Sequence, residues 1–188
     1  MSEIDDQIKR DSPLTKKLVY MNNGAIAPTP LSTIKAVTDF MLKCADAGPD
    51  APQTSEYIVA LLDELRTRIA HLIGCERQEV VLVQSTTEGL NMVANGIDWQ
   101  KGDAIVARGG RHEHYANYLP WISLSQRRGV QLRELGVDEN GYFNMGELEK
   151  TMKGARMVTM SHALYNTGAV MPVEEVGKIA NENNALFC

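Results

Sequence analysis

Three polar segments of this sequence carry side chains able to bind or transform a ligand. Gln84-Ser85-Thr86-Thr87-Glu88-Gly89 places hydroxyls where a helix is predicted to begin. Free N–H groups, the positive end of the helix dipole and two hydroxyls suit a phosphate monoester, although the same residues serve equally as plain helix caps. His112-Glu113-His114-Tyr115 offers two alternate imidazoles and a carboxylate, and three readings compete for it. A metal site would want a further ligand pair at helical spacing, which the sequence does not supply. The others are a solvated loop and an imidazole lying flat on an aromatic cofactor. In Ser161-His162-Ala163-Leu164-Tyr165-Asn166-Thr167-Gly168, Tyr165 and Asn166 can hydrogen-bond a phenolic oxygen or a carboxylate. The plain alternative is a polar turn closing on Gly168, with His162 a structural histidine.

The elements that must position these segments follow from periodicity. Tyr57, Ile58, Leu61, Leu62, Leu65, Ile69, Leu72 and Ile73 recur at helical spacing before Gly74, which predicts a helix with one buried face after a Pro/Gly/Asp-rich loop at residues 46–56. Strands are expected at residues 79–84, 103–107, 130–135, 156–160 and 185–188. Helices are expected at 87–95, at 115–128 with a disturbance at Pro120, from the Asn144 cap to about Lys153, and from Pro172 to about Glu182. Asp138-Glu139-Asn140-Gly141 reads as a turn.

Strict alternation of helices with strands apolar on both faces gives an α/β fold, a mostly parallel sheet with helices on both faces. Each chemical segment then follows a strand. All three fall on the carboxyl edge of the sheet, where α/β folds collect ligands, and together they outline one site. The ending at Cys188 reads as cut, because a parallel strand normally feeds a covering helix. An isolated chain is therefore expected to expose apolar surface and to associate.

Composition narrows the functional classes. The 188 residues are 44% hydrophobic, enough for a packed core, and the net charge of −5 comes with scattered Lys and Arg, so nucleic acid is not an expected partner. No apolar run reaches membrane-spanning length and the first 17 residues lack the pattern of a secretion signal, which makes a cytoplasmic protein with no membrane partner the expectation. Cys44, Cys75 and Cys188 are distant and odd in number, arguing for reduced thiols, with Cys188 a buried strand residue.

Tyr20-Met21-Asn22-Asn23-Gly24-Ala25-Ile26-Ala27-Pro28 resembles the Y-L-D-N-A-A-T-T-P opening of cysteine desulfurases and selenocysteine lyases, in the class V aminotransferase family. Ser85-Thr86-Thr87-Glu88-Gly89-Leu90-Asn91 is similar to that family's G-T-T-E-x-I-N, and Glu113 to Trp121 to its E-H-H-A-N-x-V-P-W. Val158 to Gly168 with Pro172-Val173-Glu174-Glu175 resembles S-H-V-S-N-x-T-G and the P-V-x-E-I after it.

The resemblance implies the first part of the large domain of a fold type I enzyme that uses pyridoxal 5'-phosphate on a small amino-acid substrate, normally as a dimer. Residues 1–19 would be an amino-terminal arm, 20–53 a segment and loop bordering the active site, and 54–188 the first part of the cofactor-binding domain. Thr86 and Thr87 would hold the cofactor phosphate. His114 would stack on its ring and assist proton transfer, while Tyr165 or Asn166 would meet its phenolic oxygen; Asn23 and Ala25 would border the substrate.

The family's cofactor-binding lysine, pyridinium-pairing aspartate, nucleophilic cysteine and carboxylate-binding arginine have no match here. A complete enzyme would take them from residues beyond 188 or from a second subunit, as a homo- or hetero-oligomer. Gly24 and Ile26, where desulfurases have Ala and Thr, also admit the lyase, epimerase and aminotransferase branches. A non-catalytic truncated paralogue acting as a regulatory partner is the competing class.

Overall fold

The computed structural model describes residues 3–109 and 112–188. Its contacts divide the chain into two compact units, Met1–Leu82 and Val83–Cys188.

The first unit is helical. Helix α1 spans Glu3–Asp11, α2 Leu31–Ala47 and α3 Pro52–Ile73. The predicted 46–56 loop is shorter than expected, because Pro52 stands in the first turn of α3, where its fixed φ and missing N–H cost nothing. Thr54, fully buried, donates its hydroxyl to Gly48 O at 2.9 Å and ties the short connection down. Gly74 ends α3 in the left-handed conformation at φ 73°.

The helical period of α3 is as expected, but its apolar face is not covered. Tyr57, Leu61, Leu65, Leu72 and Ile73 are all exposed. Periodicity reports which face could be buried; the described residues supply too little surface to bury it.

The second unit holds α4 (Thr86–Gly96), β1 (Ala104–Arg108), α5 (Tyr115–Arg128), β2 (Gln131–Leu135), α6 (Met145–Thr151), β3 (Met157–Thr159), α7 (Val173–Glu182) and β4 (Leu186–Phe187). The sheet order is β2-β1-β3-β4 and every pairing is parallel, with Val106 opposite Arg133 on one side and Val158 on the other. All of β1 is buried, as a central strand with helices on both faces must be. Ile105 and Met157 face Ala94 of α4 and Trp121 and Leu124 of α5. Val106 and Val158 point the other way, toward Leu148 of α6, Met152 at its C-cap and Val176 of α7.

Two strand expectations are corrected. Residues 79–84 form no strand: a short 3-10 turn, Arg77–Glu79, leads into extended chain with no ladder partner among the described residues. A β-branched run gives extended backbone, but a strand also requires a neighbour to bond. At the other end β4 is a sheet edge, with Leu186 50% and Phe187 40% exposed, and Cys188 half-buried just past it. Burial still pushes the Cys188 thiol up from its ordinary value, with a hydrogen bond to Thr159 acting against that shift. No helix of the described residues is long and apolar enough to cross a membrane.

Candidate active site

The site is built from helix starts and from turns after strands. Ser85 caps α4, its Oγ accepting from Glu88 N at 3.2 Å, while the Glu88 carboxylate reaches back to accept from Gln84 N at 2.7 Å. Thr86 and Thr87 in the first turn are exposed, and their hydroxyls have no hydrogen-bond partner among the described residues. Their amides are two of the donors that a helix start leaves unpaired.

His114 is the N-cap of α5, its Nδ1 accepting from Ala116 N at 3.1 Å. An Nδ1 that accepts leaves the imidazole N–H on Nε2. Thr87 and His114 line one depression of about 430 Å³ with Asn91, Tyr115, Ala116, Leu119, Pro120 and Ser123. Pro120 lies inside α5, which runs on past it without interruption. A proline there leaves one carbonyl of the preceding turn without its helical donor.

The third segment is a closed turn that also presents side chains. Leu164 N donates to Ala169 O at 2.9 Å and Gly168, at φ 73°, donates to Leu164 O at 3.0 Å. Tyr165 meets the His114 ring edge-on, with centroids 5.0 Å apart and planes at 86°. Asn166 is tied instead to His112, Nδ2 to Nδ1 at 3.2 Å. Of the two candidates for a phenolic oxygen, Tyr165 therefore lies against His114.

Asn23 and Ala25 belong to the first unit, both exposed in a turn where Ala25 N donates to Asn22 O at 3.1 Å. Among the described residues no group of three His, Cys, Asp or Glu side chains could hold a metal ion.

One cluster went unnoticed as such in the sequence. Glu113 and Arg108, both buried, and the half-buried Asn117 and Ser161 form a polar cluster beside His114. Arg108 is fully buried at the end of β1. Burial lowers the proton affinity of its guanidinium and the Glu113 carboxylate opposes that shift. The paired Arg and Glu flanking one loop were the only available signal.

A parallel α/β unit thus brings a free helix start and a histidine to one depression, and its solved neighbours place it in the pyridoxal-phosphate fold type I class. Over its whole length the chain superposes on the apo structure of cysteine desulfurase from Thermococcus onnurineus with a TM-score of 0.87 and 31% identity, covering 47% of that chain. A C-DES mutant with glycine covalently linked to its PLP cofactor superposes with a TM-score of 0.84 at 23% identity, a likeness of fold.

The chain belongs to the family described as aminotransferase class-V, whose model matches residues 19–188. Among relatives, it is 32% identical to a probable cysteine desulfurase of Pyrococcus abyssi and 33% identical to one of Methanothermobacter thermautotrophicus. These matches cover 98% and 97% of this chain but 46% and 45% of the relatives. The chain thus spans about half the length of the curated relatives it matches, consistent with an amino-terminal portion. Pyridoxal 5'-phosphate is the cofactor of this family and fold. The residues present fit it: unpartnered hydroxyls on a helix start could hold a phosphate, beside a histidine on the same depression.

Proposed function

We propose that this chain forms the amino-terminal half of a cysteine desulfurase-like enzyme that removes sulfur from cysteine to leave alanine. The cofactor-binding lysine would come from residues beyond 188 or from a second polypeptide. The observation that carries the reading is the meeting of Thr87 and His114 on one depression, in a fold matched end to end by a desulfurase structure.

When bound, pyridoxal 5'-phosphate supplies the electron sink that weakens bonds at the substrate α-carbon. The chain's own residues do the rest. The α4 start, with the hydroxyls and amides of Thr86 and Thr87, would hold the phosphate through charge-assisted hydrogen bonds and the helix dipole. By the family resemblance His114 would stack on the cofactor ring, with its N–H on Nε2 available to donate toward substrate. Tyr165 would hydrogen-bond the phenolic oxygen, while Asn166 is tied to His112. On the family resemblance alone, Asn23 and Ala25 border the substrate, residues 1–19 form an arm and 54–188 begin the large domain.

Product analysis of the completed enzyme with cysteine and pyridoxal 5'-phosphate tests the reaction. One alanine for each sulfur transferred is the expected outcome. Pyruvate, ammonia and sulfide would instead place it with the carbon–sulfur lyases.

A further inference from the structure

The cofactor reading makes no use of the buried carboxylate next to His114. The Glu113 side chain is 3% exposed. Its Oε1 accepts from Asn117 Nδ2 at 3.0 Å, from Ser161 Oγ and, at 3.3 Å, from His114 N. Its Oε2 accepts from Ser161 N at 3.1 Å. The start of α5 and the turn after β3, 48 residues apart in sequence, thus meet on one side chain. Asn117 adds a second tie, donating to Ser161 Oγ at 3.3 Å and accepting from Thr159 Oγ1 at 3.4 Å.

A carboxylate so removed from water would be strongly disfavoured as an anion without compensation. Hydrogen bonds to Glu113 and the nearby charge of Arg108 both act toward that compensation. The guanidinium Nη1 lies 3.7 Å from Glu113 Oε2, and none of its three nitrogens has a hydrogen-bond partner among the described residues. Arg108 therefore balances charge at a distance and leaves the carboxylate lone pairs to Ser161, Asn117 and His114.

We propose that Glu113, charge-balanced by Arg108, is the positioning residue that sets His114 and Tyr165 relative to each other. Glu113 holds the backbone near both: it accepts from the N–H of its neighbour His114 and from that of Ser161, four residues before Tyr165. The edge-on ring contact at 5.0 Å and the Ala116–His114 cap that fixes the imidazole N–H on Nε2 both hang on this anchor. The proposal rests on the desulfurase reading only for its catalytic consequence.

Glu113→Gln in the full chain is the test, read by amide exchange and by the imidazole ¹⁵N signals of His114. Glutamine keeps the volume and one acceptor, but presents an NH₂ where a carboxylate oxygen had been and leaves Arg108 without a counter-charge. Exchange at Ser161 and Ala116 should accelerate by about tenfold or more while Val106 and Val158 in the sheet keep their protection. The His114 signals should shift from the single Nε2–H tautomer to a mixture.

Unchanged Ser161 exchange and His114 signals would overturn the proposal. So would equal acceleration at all four amides, which would mark Glu113 as a contributor to global stability alone. If the single variant does not fold, Arg108→Met/Glu113→Gln, which leaves no unpaired buried charge, is read in the same way; its failure to fold would also count against a positioning role. None of these measurements requires the cofactor, so the desulfurase reading can fail without touching them.

Discussion

His114 caps a helix and faces the proposed cofactor, and one substitution separates the two roles. Asparagine is among the best N-caps, so His114→Asn should keep the α5 start intact and leave the unfolding midpoint within a degree or two of the wild type. Turnover in the completed enzyme should nonetheless fall by about 100-fold or more, the usual scale for losing a group that assists proton transfer. A variant as active as the wild type would remove His114 from the chemistry. Thr87→Ala should weaken cofactor binding by about 1–3 kcal/mol through loss of a charge-assisted hydrogen bond, measured by equilibrium dialysis. Unchanged affinity would take the phosphate role from Thr87.

Asp103 gives a residue-scale prediction about stability. Gln100 N donates to its Oδ2 at 2.8 Å, and Arg156 Nη1 lies 2.6 Å from the same oxygen. The backbone bond from Gln100 holds the Asp103 carboxyl below its ordinary value, aided by Arg156 and opposed by partial burial. A depressed folded-state value means stability that is present above the unfolded value, about pH 4, and is lost as pH falls through the folded one. The unfolding-midpoint gap between wild type and Asp103→Asn should therefore be constant near pH 6 and narrow below pH 4. A gap independent of pH would contradict the assignment.

At the scale of elements, much of the second unit is legible in the sequence because its helices and strands obey local rules. Ser85, Asn144 and Pro172 mark helix starts by their residue type. The turn at 138–141 is likewise local: Asp138 Oδ1 accepts from Asn140 N and Tyr142 N, both at 2.9 Å. What escapes is what depends on distant partners. The β-branched residues near 80 could not reveal that no strand among the described residues pairs with them, nor could the period of α3 reveal that the described residues leave it uncovered.

The site divides along the same line. Thr87, His114 and Tyr165 stand out by type and place, whereas nothing in the type or place of Arg108 announces its complete burial beside the Gly141 turn. Gly141 has φ 93°, and a Cβ there would lie 2.4 Å from Leu164 Cδ1, 3.1 Å from His112 Cβ and 3.3 Å from Arg108 Nη2. Gly141→Ala should accordingly destabilise the protein by about 1–3 kcal/mol in denaturant titration, from strain and overpacking together. A change within a few tenths would show that the turn yields easily.

At the scale of the molecule, the uncovered residues set expectations for behaviour in solution. Apolar side chains on α2 and α3, among them Val37, Met41 and Leu72, are more than half exposed, and the edge strand β4 presents Leu186 and Phe187. Such surface on an isolated chain should drive self-association, visible as concentration-dependent sedimentation. A clean monomer across the accessible range would contradict this.

The central claim is that these residues form part of a cofactor site completed from outside positions 1–188. Reduction with borohydride of protein purified from its natural source, followed by intact-mass analysis and peptide mapping, tests it directly. The account expects a reduced pyridoxal-phosphate adduct on a lysine outside residues 1–188, whether in a longer chain or in a companion polypeptide. An adduct on a lysine within these 188 residues, or no adduct on any copurifying chain, would contradict it.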